Sequence, residues 1–231
     1  MLEVRANLEG APAFHVGDEG DRLAHHLLMD LIREAMPGDG VLSEEGRDDL
    51  RRLEMQRVWI IDPLDGTREF SEPGRPDWAV HVALAIDGVA RAGAVALPAF
   101  GQTLGSHPKP VVPERAEGPY RIVVSRSRPP MAARMVAEAV GGVLVPLGSA
   151  GAKAMAVVLG EADAYVHAGG QYEWDNAAPA VVAQAAGLHV SRIDGSPLRY
   201  NTRDPWVPDI IVCRPELAEA SLKVLEGVWG G

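Results

Sequence analysis

The hydrophobic pattern changes character midway along the chain. Between Asp21 and Met36, Leu23, Leu27 and Leu31, with Leu28 and Ile32, recur at helical spacing and stop at Pro37-Gly38, which predicts an amphipathic helix over 21–36. His25 and His26 are neighbours on it and point about 100° apart, so they read as helix-surface residues and not as a chelating pair. Val58-Trp59-Ile60-Ile61 is a short apolar run ending at Asp62-Pro63, the pattern of a buried strand entering a turn. Two further strands are expected at 79–86 and 89–97, joined by Asp87-Gly88, a dipeptide suited to the positive backbone angles of a hairpin. The first half therefore reads as α+β, a helix with a largely antiparallel sheet.

Four prolines, Pro108, Pro110, Pro113 and Pro119, crowd the stretch 107–119, a density that neither a helix nor a central strand tolerates. Beyond it the pattern alternates: strand 121–125, helix from Pro129-Pro130 to Val140, strand 143–147, helix 150–159, strand 162–167. Helix 176–186, strands 188–193 and 209–213 and helix 215–228 follow. Alternation of this kind is α/β. The expected organisation is an α/β protein with an α+β subdomain at 1–106, a proline-rich linker at 107–119 and an α/β subdomain at 120–231.

The chain has 231 residues, 47% apolar and 23% charged, enough for one large or two small folded domains. A net charge of −10 opposes non-specific nucleic-acid binding, which needs clustered Lys and Arg. No apolar run reaches the ~18 residues of a membrane span, and Met1-Leu2-Glu3-Val4-Arg5 lacks the regions of a signal peptide. The one cysteine, Cys213, lies behind Ile210-Ile211-Val212 and reads as a buried thiol without a disulfide partner. A cytoplasmic protein with neither a nucleic-acid nor a membrane partner is expected.

The candidate chemistry is carried by acids. Asp62 and Asp65 straddle Pro63 and Leu64 directly after a buried strand and are followed by Gly66-Thr67; the fixed φ of Pro63 and the freedom of Gly66 let both carboxylates and the Leu64 carbonyl converge on one point. Hard oxygen donors without His or Cys select Mg²⁺, Mn²⁺ or Ca²⁺ over zinc. Glu44-Glu45 upstream and Asp175 downstream offer further ligands, although alone the first reads as a solvated pair and the second as a helix N-cap. Asp21 likewise stands where it would cap the helix that it opens. Ser149 and Lys153 are four apart on one helical face, and Arg126 and Arg128 sit at a strand end, a cluster able to bind sugar hydroxyls and phosphate.

Asp21, Glu44-Glu45, Asp62-Pro63-Leu64-Asp65-Gly66-Thr67 and Trp174-Asp175-Asn176-Ala177-Ala178, in that order, resemble the motifs of the lithium-sensitive, Mg²⁺-dependent phosphomonoesterases of the inositol monophosphatase superfamily. Val124-Ser125-Arg126-Ser127-Arg128, Gly148–Lys153 and Asp194–Asn201 narrow the resemblance to the CysQ-type 3′(2′),5′-bisphosphate nucleotidases. The resemblance implies a layered α-β-α-β-α sandwich and hydrolysis of the 3′-phosphate of adenosine 3′,5′-bisphosphate. An inositol-1-phosphatase or fructose-1,6-bisphosphatase is the alternative within that chemistry, and a non-catalytic phosphometabolite-binding protein the alternative outside it.

Position by position, the resemblance implies that Glu44, Asp62 and the Leu64 carbonyl hold a first Mg²⁺, and Asp62, Asp65 and Asp175 a second. Glu44 and, through water, Asp21 would hold a weaker third; Mn²⁺ would substitute and Li⁺ inhibit. Thr67 and Asp21 would orient and deprotonate the attacking water. Gly66, Thr67 and Asp175 would contact the substrate, with Ser125, Arg126, Ser149 and Lys153 around its nucleotide part, and Trp174 would stack on a base or wall the pocket. Where relatives carry Arg, His167 would make recognition of the second phosphate pH-dependent. The roughly twenty residues ahead of Asp21 imply a shortened first helix, with a dimer partner a possible cover for the surface it would bury.

Overall fold

In the computed structural model, which describes residues 1–226, the helical pattern begins earlier than its leucines suggest. After α1 (Leu2–Asn7), α2 runs Ala13–Ala35 behind Pro12, so Asp21 lies well inside the helix and is not its N-cap. The leucine stripe is also not the packed face: Leu23, Leu27 and Leu31 are exposed, while Val16, Gly17, Gly20, Asp21, Ala24 and Ile32 are buried. The reason is steric. A Cβ at Gly17 would lie 2.7 Å from Thr67 Cγ2 and one at Gly20 2.6 Å from the Phe70 ring, so only glycines allow this close approach.

β1 (Gly40–Ser43) pairs in parallel with β2 (Arg57–Asp65), which continues through the segment expected to turn. The turn survives as an irregularity: pairing with β3 (Ala79–Ile86) skips between Asp62 and Asp65. Gly66, at φ +88°, then starts the short α3 (Thr67–Ser71). β4 (Val89–Leu97) forms the expected hairpin with β3, and an unforeseen β5 (Gln102–Gly105) completes a five-stranded sheet in the order β1-β2-β3-β4-β5.

No regular element occupies 107–119. Then follow β6 (Tyr120–Ser125), α4 (Met131–Val140), β7 (Gly142–Leu147), α5 (Ala150–Val158), β8 (Ala164–Tyr172), α6 (Glu173–Ala185), β9 (His189–Ser191), β10 (Trp206–Cys213) and α7 (Pro215–Leu225). The end of the last expected helix, 227–228, lies outside the described residues. The second sheet has the order β7-β6-β8-β10-β9, with β6, β7 and β8 parallel and β10 antiparallel to both of its neighbours.

α5 and α6 lie between the two sheets, α2 and α3 cover the outer face of the first, and α4 and α7 that of the second, which gives the α-β-α-β-α layering. The central helices suit that place because α5 is buried along its whole length and α6 is rich in buried alanine, so sheets can close on both sides. One core cluster runs from Leu42 and Val58 through Met155 and Val182 to Ile210. Cys213 is buried, as expected. Among the described residues no helix is long and apolar enough to cross a membrane.

Candidate metal and phosphate site

Three elements deliver the acids to one place. The end of β2 carries Asp62 and Asp65, both buried, and the residue after β1 carries Glu44, whose N–H donates to the Ile61 carbonyl of β2 at 3.3 Å. The first turn of α6 carries Asp175. That helix starts at Glu173, three residues ahead of its expected start, so Asp175 is not the N-cap; its Oδ2 instead accepts the Tyr172 N–H at 2.6 Å and closes a capping box. One carboxylate oxygen each from Asp62, Asp65 and Asp175 lies within 4.8 Å of the others. Glu44, more exposed than these three, lies beside them, near enough for its charge to act on Asp62.

The electrostatics of these acids favour a positive partner. Burial first, then Asp65, Glu44 and Asp175, push the Asp62 pKa well above the carboxylate range. Burial and the neighbouring Asp175 raise Glu44 to about 7, and burial with Asp65 raises Asp175 to about 6. Crowded acids that resist ionisation are stabilised by a cation, and the facing donors are hard oxygens. The residues present therefore fit a divalent ion.

Asp65 stands apart. Burial opposes its charge, but His81, Lys153 and Ser149 overcome this and hold its pKa below the usual range. Oδ2 accepts from Ser149 Oγ at 2.5 Å and the Gly151 N–H at 2.6 Å, Oδ1 accepts the Ala150 N–H at 3.0 Å, and His81 Nε2 is 3.2 Å away. The N-terminus of α5 thus grips the carboxylate directly.

Next to this cluster, Thr67 Oγ1 is 3.1 Å from both Asp21 Oδ2 and the Leu64 carbonyl. Burial and the nearby Glu45 raise Asp21 to about 7, and its Oδ1 is buried without a hydrogen-bond partner among the described residues. Glu45 itself is exposed.

The residues expected to meet the nucleotide are more occupied than the sequence suggests. Ser149 Oγ accepts the Ala152 N–H as helix cap besides donating to Asp65, and Lys153 is buried, with Nζ donating to the carbonyls of Ser149 and Gly148 and lying over the Tyr165 ring. Arg126 is clasped by Glu69 and Glu72, each at 2.6 Å, while Ser125 Oγ is 3.3 Å from Ser127 Oγ and Arg128 is exposed. Burial lowers the His167 pKa against the bond from its Nε2 to the Gly170 carbonyl, with Lys153 and Arg128 adding to the fall.

Two groups escape a linear reading. His81, fully buried in β3, joins Asp65 to the Trp174 carbonyl through Nε2 and Nδ1, 3.2 Å and 3.0 Å away; a histidine on the inward side of an otherwise apolar strand is the signal for it. Tyr172 stacks on Trp174 with ring centroids 4.7 Å apart and meets Trp206 edge-on at 5.7 Å, an aromatic surface beside Asp175 in which Tyr172 and Trp206 are exposed.

Comparison with known proteins agrees with this geometry. The model of the inositol monophosphatase family matches residues 18–229. A 3′-phosphoadenosine 5′-phosphate phosphatase of Mycobacterium tuberculosis is 50% identical over 237 aligned positions, covering 99% of this chain and 89% of the relative. A 3′(2′),5′-bisphosphate nucleotidase CysQ of Escherichia coli K12 is 33% identical across 81% of this chain and 80% of its own. Among solved structures, CysQ from Bacteroides thetaiotaomicron superposes with a TM-score of 0.69 at 28% identity, covering 84% of this chain and 83% of that one. An inositol monophosphatase of Staphylococcus aureus reaches 0.78 at 22% identity over 97% and 88%, a likeness of fold. The chain belongs to the inositol monophosphatase family.

Proposed function

We propose that the protein is a Mg²⁺-dependent phosphomonoesterase that removes the 3′-phosphate of adenosine 3′,5′-bisphosphate to leave AMP. The observation that carries this reading is the convergence of Asp62, Asp65 and Asp175 next to the Thr67–Asp21 pair. The names of the half-identical mycobacterial relatives supply the substrate. Glu44, Asp62 and the Leu64 carbonyl would hold one ion and Asp62, Asp65 and Asp175 a second, with a weaker third at Glu44 and, through water, Asp21. Bound at these residues, divalent ions would supply cancellation of phosphoryl charge and activation of a water near neutral pH.

The chain's own groups do the rest. Thr67 Oγ1 accepts the proton of the attacking water as it hands its own to Asp21 Oδ2, and a carboxyl near 7 suits that exchange at neutral pH. The backbone N–H groups of Gly66 and Thr67 bind phosphoryl oxygens. Ser149, with the start of α5, orients Asp65, and Lys153 adds positive charge behind it. Arg126, next to Ser125, is the cation available to the second phosphate, which would replace the Glu69 and Glu72 carboxylates on the guanidinium. The Tyr172–Trp174–Trp206 surface takes the base by stacking.

The test is phosphate release from adenosine 3′,5′-bisphosphate, inositol 1-phosphate and fructose 1,6-bisphosphate, with Mg²⁺ and then with EDTA. Fastest turnover of the adenosine ester, abolished by EDTA and inhibited by Li⁺ at limiting Mg²⁺, is expected. Faster inositol phosphate hydrolysis would reassign the substrate, and no metal-dependent release from any ester would leave a binding protein.

A further inference from the structure

Arg52 and Glu173 are ionic side chains with only 1% and 0% exposure, and neither touches the acids of the pocket through a hydrogen bond. Arg52 lies in the 3₁₀ turn Leu50–Glu54, eight residues after Glu44; Glu173 stands two residues before Asp175. A strap at Asn201-Thr202 joins them. Arg52 Nε and Nη2 pair with the Asp48 carboxylate at 2.7 and 2.9 Å. Its Nη1 donates to Asn201 Oδ1 at 2.8 Å and the Thr202 carbonyl at 3.0 Å, and Asn201 Nδ2 returns a bond to the Arg52 carbonyl at 3.0 Å. Glu173 accepts the Asn201 N–H on Oε2 at 2.6 Å, and the Thr202 N–H and Oγ1 on Oε1 at 2.9 and 2.7 Å. Asn201 has a φ of +57°, a conformation that asparagine tolerates and these bonds maintain.

Stability alone does not account for this network. Two buried charges cost several kcal/mol each in desolvation, and apolar packing often serves as well or better, by about 1–4 kcal/mol. What the network achieves is geometric. It ties the segment that follows Glu44 to the first turn of the helix that bears Asp175. Those two carboxylates repel each other, since Asp175 is the strongest charge acting on Glu44, and must still be held at a fixed separation.

We propose that Arg52, Asn201 and Glu173 are positioning residues that set the spacing between Glu44 and Asp175 and so determine affinity for the divalent ion, leaving the chemical step to the groups that touch substrate. This rests on the reading of the acidic pocket as a metal site. The probe is Mn²⁺ alone, titrated into the full chain and followed by the EPR signal of the free ion, with Tm and the Mg²⁺ dependence of turnover alongside. Asn201→Gly is the informative variant: it accepts the positive φ and keeps the N–H to Glu173 while deleting the side-chain bonds to Arg52. Glu173→Gln removes one of the two acceptor oxygens.

Both variants should bind Mn²⁺ about tenfold or more weakly, with kcat at saturating Mg²⁺ within about twofold of wild type. If one of them fails to fold, the other decides. A lowered Tm with unchanged Mn²⁺ affinity would make the network merely structural and overturn the proposal, as would a fall in kcat that saturating metal does not rescue. Absence of Mn²⁺ binding by the wild-type chain would overturn the metal reading itself, and this proposal with it.

Discussion

Ser149 offers a test in which two small substitutions at one position are expected to diverge. Its hydroxyl accepts the Ala152 N–H at 2.9 Å as the cap of α5 and donates to buried Asp65 at 2.5 Å. Its backbone sits at φ +50° and ψ 137°, a region that residues with a Cβ rarely enter. Ser149→Ala loses a cap worth about 1 kcal/mol and a hydrogen bond to a charged group worth about 1.5–3 kcal/mol, a total of roughly 3 kcal/mol with the strain retained. Ser149→Gly loses the same hydroxyl but relieves backbone strain of about 1–3 kcal/mol, so its net cost is close to 1 kcal/mol. In a chain of this length 1 kcal/mol moves Tm by about 2–4 °C. The alanine variant should therefore melt roughly 6–12 °C below wild type and the glycine variant only about 2–4 °C below, by circular dichroism in EDTA. Equal melting temperatures, or a glycine variant less stable than the alanine one, would refute both the strain at this position and the hydroxyl's grip on Asp65.

The raised acids make the effect of metal depend on pH. An acid whose pKa is higher in the folded chain than in the unfolded one costs stability as pH rises from about 4 through its folded value, here about 6 for Asp175 and about 7 for Glu44. A bound cation removes that cost but must displace protons below those values, so the rise in Tm on adding Mg²⁺ should be larger at pH 7.5 than at pH 5.5; an equal rise at both would contradict the charge assignment. Asp65→Asn should abolish activity and also lower Tm in EDTA by several degrees, because its amide group would face the donors of Ser149, Ala150 or Gly151; a variant as stable as wild type would count against that contact set. Trp206→Ala should raise KM for adenosine 3′,5′-bisphosphate about tenfold, in line with the ~1–3 kcal/mol of a base stack, and leave inositol 1-phosphate turnover unchanged. A parallel loss on both esters would remove the base from that surface.

The types of donor are legible in the chain because Asp62, Pro63, Leu64, Asp65, Gly66 and Thr67 are contiguous, and one strand end brings all six to the same place. Helical periodicity likewise reveals α2 and its end, though not its start at Ala13, and the hairpin at Asp87-Gly88 follows from its local turn chemistry. The packed face of α2 does not follow from its leucines, because the helix meets α3 through Gly17 and Gly20 and turns its larger side chains outward. Arg126 and Lys153 look like free cations in sequence; Arg126 is paired with Glu69 and Glu72 from the other half of the molecule, and Lys153 is buried with its Nζ turned onto the Ser149 and Gly148 carbonyls.

By itself, then, the sequence determined the alternation of elements, the oxygen-donor chemistry and the order of the motifs, since each of these is written within a few consecutive residues. Only the tertiary structure decided which charges are already spent and which remain for a ligand. Asp65 meets the start of α5 across 84 to 86 residues and Arg52 meets Asn201 across 149, separations at which periodicity and turn propensity carry no information. At that range the pairing of buried polar groups is enforced by desolvation: a charge taken out of water must find a partner among whatever the packed layers bring beside it.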